Sequence, residues 1–261
     1  KPGGCSPIPR CGAIWMRRTK AMKIKALVLA LCLPSLAQAV TCRDYSFEGA
    51  AYSVCEVLPD EDLRLFLNGA EGPFGTFAAV NTALEAKGET LAFAMNAGMF
   101  HRDLAPVGLY VENGQEMARL VTSDGPGNFG LLPNGVFCVG EGFSVIESRT
   151  FKEAPPACRF ATQSGPMLVI DGALHPRFLA GSDSYNYRNG VGVAEDGRAL
   201  FAISNDEVNF HAFARYFRDV LGVKNALFLD GSISRLYAPE LDRDDLGFPM
   251  GPIVGVVTAK D

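Results

Sequence analysis

From residue 40 onward the chain consists of apolar runs of four to eight residues, repeatedly closed by glycine-containing turns. Runs of that length make strands. An ordinary surface helix needs a longer stretch with apolar residues three and four apart. Strand-length runs occupy 51–58, 63–67, 91–95, 143–147 and 252–258. Asn113-Gly114 joins 107–111 to 117–121 as a hairpin, and Glu195-Asp196-Gly197 joins 191–194 to 199–203. A further hairpin is expected from 129–132, through Pro133-Asn134-Gly135, to 136–139. Helical spacing appears twice. Phe77, Val80, Ala83 and Leu84 mark a helix within 74–86 that Gly88 stops. Phe210, Phe213, Ala214, Phe217 and Leu221 mark another, closed by Gly222 and capped either by Ser204 with Glu207 or by Asn209. These patterns predict an α+β fold, a single domain of mixed, largely antiparallel sheets with a few flanking helices. The strand–helix–strand passage ending in 226–229 is expected to add one parallel pair.

The first 39 residues read differently. Arg17, Arg18, Lys20, Lys23 and Lys25 precede an unbroken apolar run, 26–33, which Pro34 breaks before Ala37-Gln38-Ala39. A basic flank, a short apolar run and a small-x-small site make an export signal. The run is shorter than the ~20 apolar residues that span a bilayer. Met22-Lys23-Ile24-Lys25 is the natural start of that signal, with an upstream extension before it. The expected organisation is therefore extension and signal peptide at 1–39 and one domain at 40–261. A periplasmic or secreted location follows, with no stable membrane insertion after signal cleavage.

Removing the signal changes the electrostatics. Seven of the 24 basic residues lie in it and none of the 29 acidic ones does, so the mature part carries 17 against 29, a net charge of −12. Such a field opposes nucleic acid and anionic lipid as partners. Four of the seven cysteines remain: Cys42, Cys55, Cys138 and Cys158. An even number behind an export signal favours disulfides. Of the three pairings, Cys42–Cys55 and Cys138–Cys158 are preferred because they are nearest in sequence.

Four polar, glycine-rich patches follow apolar strands, where rigid scaffolds present reactive groups. They are 96–100, Gln163-Ser164-Gly165-Pro166, Arg188-Asn189-Gly190 and Asp230-Gly231-Ser232-Ile233-Ser234. Each alone could be a turn. In order with Pro106-Val107-Gly108-Leu109, Gly127-Asn128-Phe129, Leu132-Pro133-Asn134-Gly135-Val136 and Asn209-Phe210, they resemble the phosphodiester glycosidase domain family, in particular its exported bacterial branch. The resemblance covers roughly 60–257. It implies hydrolysis of a sugar-phosphate or phosphorylated glycan. Members of the uncovering-enzyme type tend to carry two glycines after the aspartate; here Gly231-Ser232 stands in that place, which bears on the identity of the sugar.

The chemistry asks for groups that the patches contain. A phosphodiester is anionic, so an acidic protein needs a local clamp. Arg188 is the leading candidate because guanidinium matches phosphate oxygens bidentately, with Arg235 and His211 next. Asp230 is the expected base or nucleophile, and Asp206 the second carboxylate. Asn96, Ser164, Ser232 and Ser234 are expected to bind sugar hydroxyls or phosphate oxygens. No cofactor is required, although Asp230 with backbone oxygens could hold a divalent cation. A serine hydrolase is disfavoured because Gln163-Ser164-Gly165 lacks the nucleophile elbow, and a zinc enzyme because no two histidines have ligand spacing. The alternative of another class is a glycan-binding or envelope-structural protein on the same fold.

Overall fold

The computed structural model describes residues 2–4, 40–231 and 233–260. The expected signal segment with Cys5, Cys11 and Cys32, and the site candidate Ser232, thus lie outside the described residues. The chain divides into Lys1–Ala37 and Gln38–Asp261, and the second unit holds everything that follows.

Thr41–Phe47 and Ala50–Val57 form a hairpin in which Cys42 faces Cys55, and the two close a disulfide. The sheet continues through Ala199–Ser204, Asn189–Val193, Ala226–Asp230, Met167–Ile170 and Ala173–Leu174. A second sheet orders Phe143–Glu147, Gly135–Val139, Phe160–Ser164, Tyr110–Glu112 and Gln115–Ala118. A third orders Arg243–Asp244, Leu236–Ala238, Glu89–Asn96, Ile253–Ala259 and Leu63–Phe66.

Every ladder among the described strands is antiparallel. The expected parallel pair does not form. Ala199–Ser204 and Ala226–Asp230 run the same way, but Asn189–Val193 lies between them and pairs with both. The helical crossover skips one strand, and local periodicity carries no record of which strand fills the gap. The 129–139 hairpin is also corrected. Gly135–Val139 pairs with Phe143–Glu147 and Phe160–Ser164, whereas 126–132 is a run of turns. Asn134 donates its side-chain amide to the Phe129 carbonyl at 2.7 Å, and Pro133 has no N–H to offer a ladder. The short helix Ser148–Glu153, capped by the Glu147 carboxylate, was not signalled by periodicity.

The core forms where the three sheets meet. The Phe201 ring lies 5.1 Å from that of Phe93 and 5.6 Å from that of Phe137, one partner from each of the other sheets. Helices cover the outer faces. Phe77–Glu85, capped by Thr76, lays Phe77, Val80 and Leu84 against Leu91, Ala94 and Ile253. Phe210–Arg215, which passes into a π turn at Tyr216–Val220, lays Phe213, Ala214 and Phe217 over Tyr52, Val54 and Phe228. Asn209 is its cap, accepting from Ala212 N at 2.9 Å, so the Ser204–Glu207 alternative does not apply. Among the described residues no helix is long and apolar enough to cross a membrane.

Two predictions follow from this frame. The Cys138–Cys158 disulfide closes a sequence separation of 20. Its double replacement by alanine is expected to cost about 3 kcal/mol in chemical unfolding, the loop-entropy value for that length. Thiol titration of the unfolded, unreduced mature chain should find no free thiol; four would contradict both bridges. The second concerns Glu61. Burial pushes its carboxyl up to about 7, against the Leu58 N–H that favours the charged form, with Asp60 adding to the rise. A carboxyl raised from 4.5 on folding contributes stability below 4.5 that is lost as pH climbs through 7. Glu61→Gln should therefore melt like the parent at pH 4 and above it at pH 8; equal melting at both would show that the buried charge costs nothing.

Candidate active site

Four strands end at one place. Asn96 closes Glu89–Asn96, Ser164 closes Phe160–Ser164, Asn189 opens Asn189–Val193 and Asp230 closes Ala226–Asp230. Asn189 and Asp230 are ladder partners, so their side chains start from adjacent points of one sheet. Asn96 comes from another sheet and meets Asn189 fully buried. Asn189 Nδ2 donates to Asn96 O at 2.9 Å and to Asn96 Oδ1 at 3.0 Å, and Asn96 Nδ2 donates to Asn189 Oδ1 at 3.3 Å. The two carboxamide oxygens then hold the loop that follows Asp230. Asp230 N donates to Asn189 Oδ1 at 2.9 Å, and Arg235 N donates to Asn96 Oδ1 at 3.0 Å. Ser164 Oγ donates to Leu229 O at 2.8 Å, and Ser234 Oγ lies within reach of the Asp230 and Tyr187 carbonyls at 2.9 and 3.0 Å. Gly231 N donates to Asp230 Oδ1 at 2.6 Å, which fixes the carboxylate in its own turn.

Asp230 reaches a cleft of about 480 Å³. Met99, Phe100, Val107, Phe129 and Ile233 supply apolar walls, and His101, Asn128 and Asp230 the polar groups. The loop after Asn96 is braced by Ala97 N to Pro252 O at 2.7 Å, and by Thr162 Oγ1 donating to Ala97 O at 2.9 Å. Opposite it, the 126–132 loop hangs on Asn134. Gly165 is required there, since a Cβ would overlap the Asn134 carboxamide. Gly108 has the same duty toward Gln163, whose Oε1 accepts from Leu109 N and Val121 N, both at 3.0 Å. The motif glycines thus admit buried carboxamides that hold the cleft walls in place.

Several site candidates sit elsewhere than expected. Arg188 is fully buried and does not line the cleft. Its Nε donates to Val208 O and its Nη2 to Ser184 O, both at 2.8 Å, and its guanidinium lies 3.7 Å from the Phe210 ring centre. Burial pushes its pKa down to about 10, and Nη1 has no hydrogen-bond partner. In this arrangement the Arg188 guanidinium is engaged by the protein and is not exposed to the cleft. Asn96 and Ser164 are likewise fully buried with their side-chain groups engaged inside the protein, so they support the Asp230 loop from beneath. Asp206 and His211 line a separate cleft of about 420 Å³ with Glu48, Tyr185 and Arg215, and Asp206 Oδ2 accepts from Ala51 N at 2.8 Å. Arg235 is nearly buried against Gly247, and burial lowers its pKa while Asp245 opposes the shift. His101 and Asn128 also line the cleft; Asn128 stands in the Gly127-Asn128-Phe129 motif, whereas no motif role marks His101. Among the described residues no group of three or more His, Cys, Asp or Glu is placed to hold a metal ion.

The phosphodiester glycosidase family model matches residues 89–246, which hold Asn96, Asn189, Asp230 and both cleft walls. The chain belongs to the phosphodiester glycosidase family. It is 36% identical over 222 residues to the uncharacterized protein YigE of Escherichia coli K12, covering 83% of this chain and 86% of that one. Its fold is similar to the zebrafish N-acetylglucosamine-1-phosphodiester alpha-N-acetylglucosaminidase catalytic domain auto-inhibited by its pro-peptide. That match has a TM-score of 0.58 at 12% identity, covering 83% and 81% of the two chains. A hypothetical protein from Synechocystis matches with a TM-score of 0.54 at 14% identity, covering 85% of this chain and 62% of that one.

The buried position of Arg188 yields a prediction. A lysine keeps the charge but cannot serve both carbonyls while lying over Phe210. Arg188→Lys should cost about 1–3 kcal/mol, the scale of lost buried hydrogen bonds, and leave ligand affinity unchanged. Unchanged melting with weakened ligand binding would place this side chain in contact with ligand after all.

Proposed function

We propose that the chain is an exported enzyme that hydrolyses the sugar C–O bond of a sugar-phosphate diester in envelope or extracellular glycans. Family membership supports the reaction class. The observation that carries the reading is Asp230, the one carboxylate among the described residues lining the cleft, fixed there by the Asn96–Asn189 pair. The two disulfides support an oxidising compartment, periplasmic or extracellular. The sugar of the zebrafish enzyme's name, N-acetylglucosamine, is one candidate for the glycone.

In this reading Asp230 acts at the anomeric carbon, as the base that activates water or as the nucleophile of a covalent intermediate. The anomeric C–O bond breaks and its electron pair stays on the phosphate oxygen. Water supplies the hydroxyl at the sugar carbon, and its proton passes through the carboxylate to solvent. The departing phosphate monoester has a second pKa of about 6, so it leaves without the strong acid that a sugar alkoxide needs. One carboxylate in the cleft is therefore enough for this bond. Phe100 and Phe129 offer apolar surface to the C–H face of a sugar ring. No cofactor enters these steps.

The test is incubation with a sugar 1-(4-nitrophenyl phosphate) diester. The intact chain should release free sugar and 4-nitrophenyl phosphate. Asp230→Asn should slow this by ~100-fold or more, the scale of losing such a group, while melting like the parent. Undiminished turnover in folded Asp230→Asn would remove the carboxylate from the chemistry. Retention of the diester without turnover by the parent would make the protein a glycan binder.

A further inference from the structure

The cleft raises a question that the buried arginine leaves open: what meets the negative charge of the diester. Among the described residues lining the cleft, His101 is the one side chain able to carry positive charge. It is exposed, so its ring is open to ligand. Its backbone is fixed at a tight turn, with His101 N donating to Ala105 O at 2.8 Å and Leu104 N donating to His101 O at 2.9 Å. The turn sits on a short bridge, Phe100 to Pro106, with Val107 N donating to Met99 O at 3.0 Å. The imidazole is thus presented from a rigid stem. Asn128 lines the same cleft from the 126–132 loop. That loop is closed on itself by Gly130 N to Gly127 O and Leu131 N to Asn128 O, and anchored by Asn134 at Phe129.

We propose that His101, assisted by the Asn128 carboxamide, binds the phosphate oxygens of the substrate and retains them on the monoester product, while Asp230 faces the sugar carbon. The assignment rests on the glycosidase reading above and adds to it the group that recognises the phosphate. The chemistry fits both residues. An imidazole N–H and a carboxamide N–H each donate to an anionic phosphate oxygen, and the acceptor's charge strengthens both bonds. Two such donors recognise an anion without the bulk of a guanidinium. They leave the apolar walls to the sugar. The buried Arg188 cannot do this by contact, and His211 lies in the other cleft.

The experiment is direct binding of phenyl phosphate to the intact chain, followed by calorimetry and by the ring proton signals of the histidines, with phenol as the uncharged control. Phenyl phosphate should move the His101 ring signals and phenol should not. His101→Gln should weaken phenyl phosphate binding by roughly tenfold or more, the scale of a lost hydrogen bond between charged groups. His101→Lys, which restores a cation at the same place, should recover most of it. Equal affinity for parent and His101→Gln, or unmoved His101 signals, would overturn the assignment even if the diester is hydrolysed. Phosphate binding at His101 without turnover of the nitrophenyl diester would instead leave this site standing and sink the hydrolase reading.

Discussion

The site depends on one buried contact, the exchange of hydrogen bonds between Asn96 and Asn189. The two asparagines belong to different sheets, and both are fully buried. Buried amide groups left without partners cost about 1–3 kcal/mol each, so a pair of this kind has one geometry that satisfies it and many that do not. It also carries load beyond itself. The carboxamide oxygens take the N–H groups of Asp230, at the end of its strand, and of Arg235, in the loop that follows. The seam between two sheets and the position of the reactive carboxylate are thereby the same structural fact.

Around that seam the polar residues divide into two layers. Beneath the cleft lie Asn96, Ser164, Gln163, Arg188 and Asn189, all closed off from solvent. Above them Asp230, His101 and Asn128 face the cleft. Gly108 and Gly165 belong to the lower layer, where a side chain would strike the Gln163 and Asn134 carboxamides. Much of what the sequence presents as separate glycine-rich loops is, in the structure, a set of braces beneath the cleft.

This division explains which parts were legible in the sequence. Periodicity located the strands 51–58, 143–147 and 199–203 and both long helices, because each has one clear apolar face. It placed a strand at 129–132 because that segment is apolar, whereas the Asn134 side chain folds it into turns. It could not order the strands across a sheet, so the crossover was read as a parallel neighbour. The motifs mark strand ends along the chain, and the structure adds the depth at which each side chain lies. Asn189–Val193 begins one residue after Arg188, and strand side chains alternate between faces. Asn189 turns toward Asn96, and Arg188 consequently turns to the opposite face, where it is buried under Phe210. Parity along that strand was the available signal, and it needed one anchor from the opposite sheet to be read. His101 and Asn128 gave no such signal, since their shared cleft joins loops that are distant in sequence.

Arg188 also lies close behind the Asp230 loop. Its Nη1 lies 3.4 Å from where a side chain on Gly231 would begin, directly behind the residue that follows Asp230. Desolvation lowers its pKa only to about 10, so at neutral pH the guanidinium remains charged. Charges in the interior are screened less than those at the surface. A fixed cation behind the loop therefore offsets part of the acidic field of residues 40–261, which carry 17 basic against 29 acidic side chains. The cost of keeping that charge dry is met by two backbone carbonyls and an aromatic ring, partners that attract a cation without neutralising it.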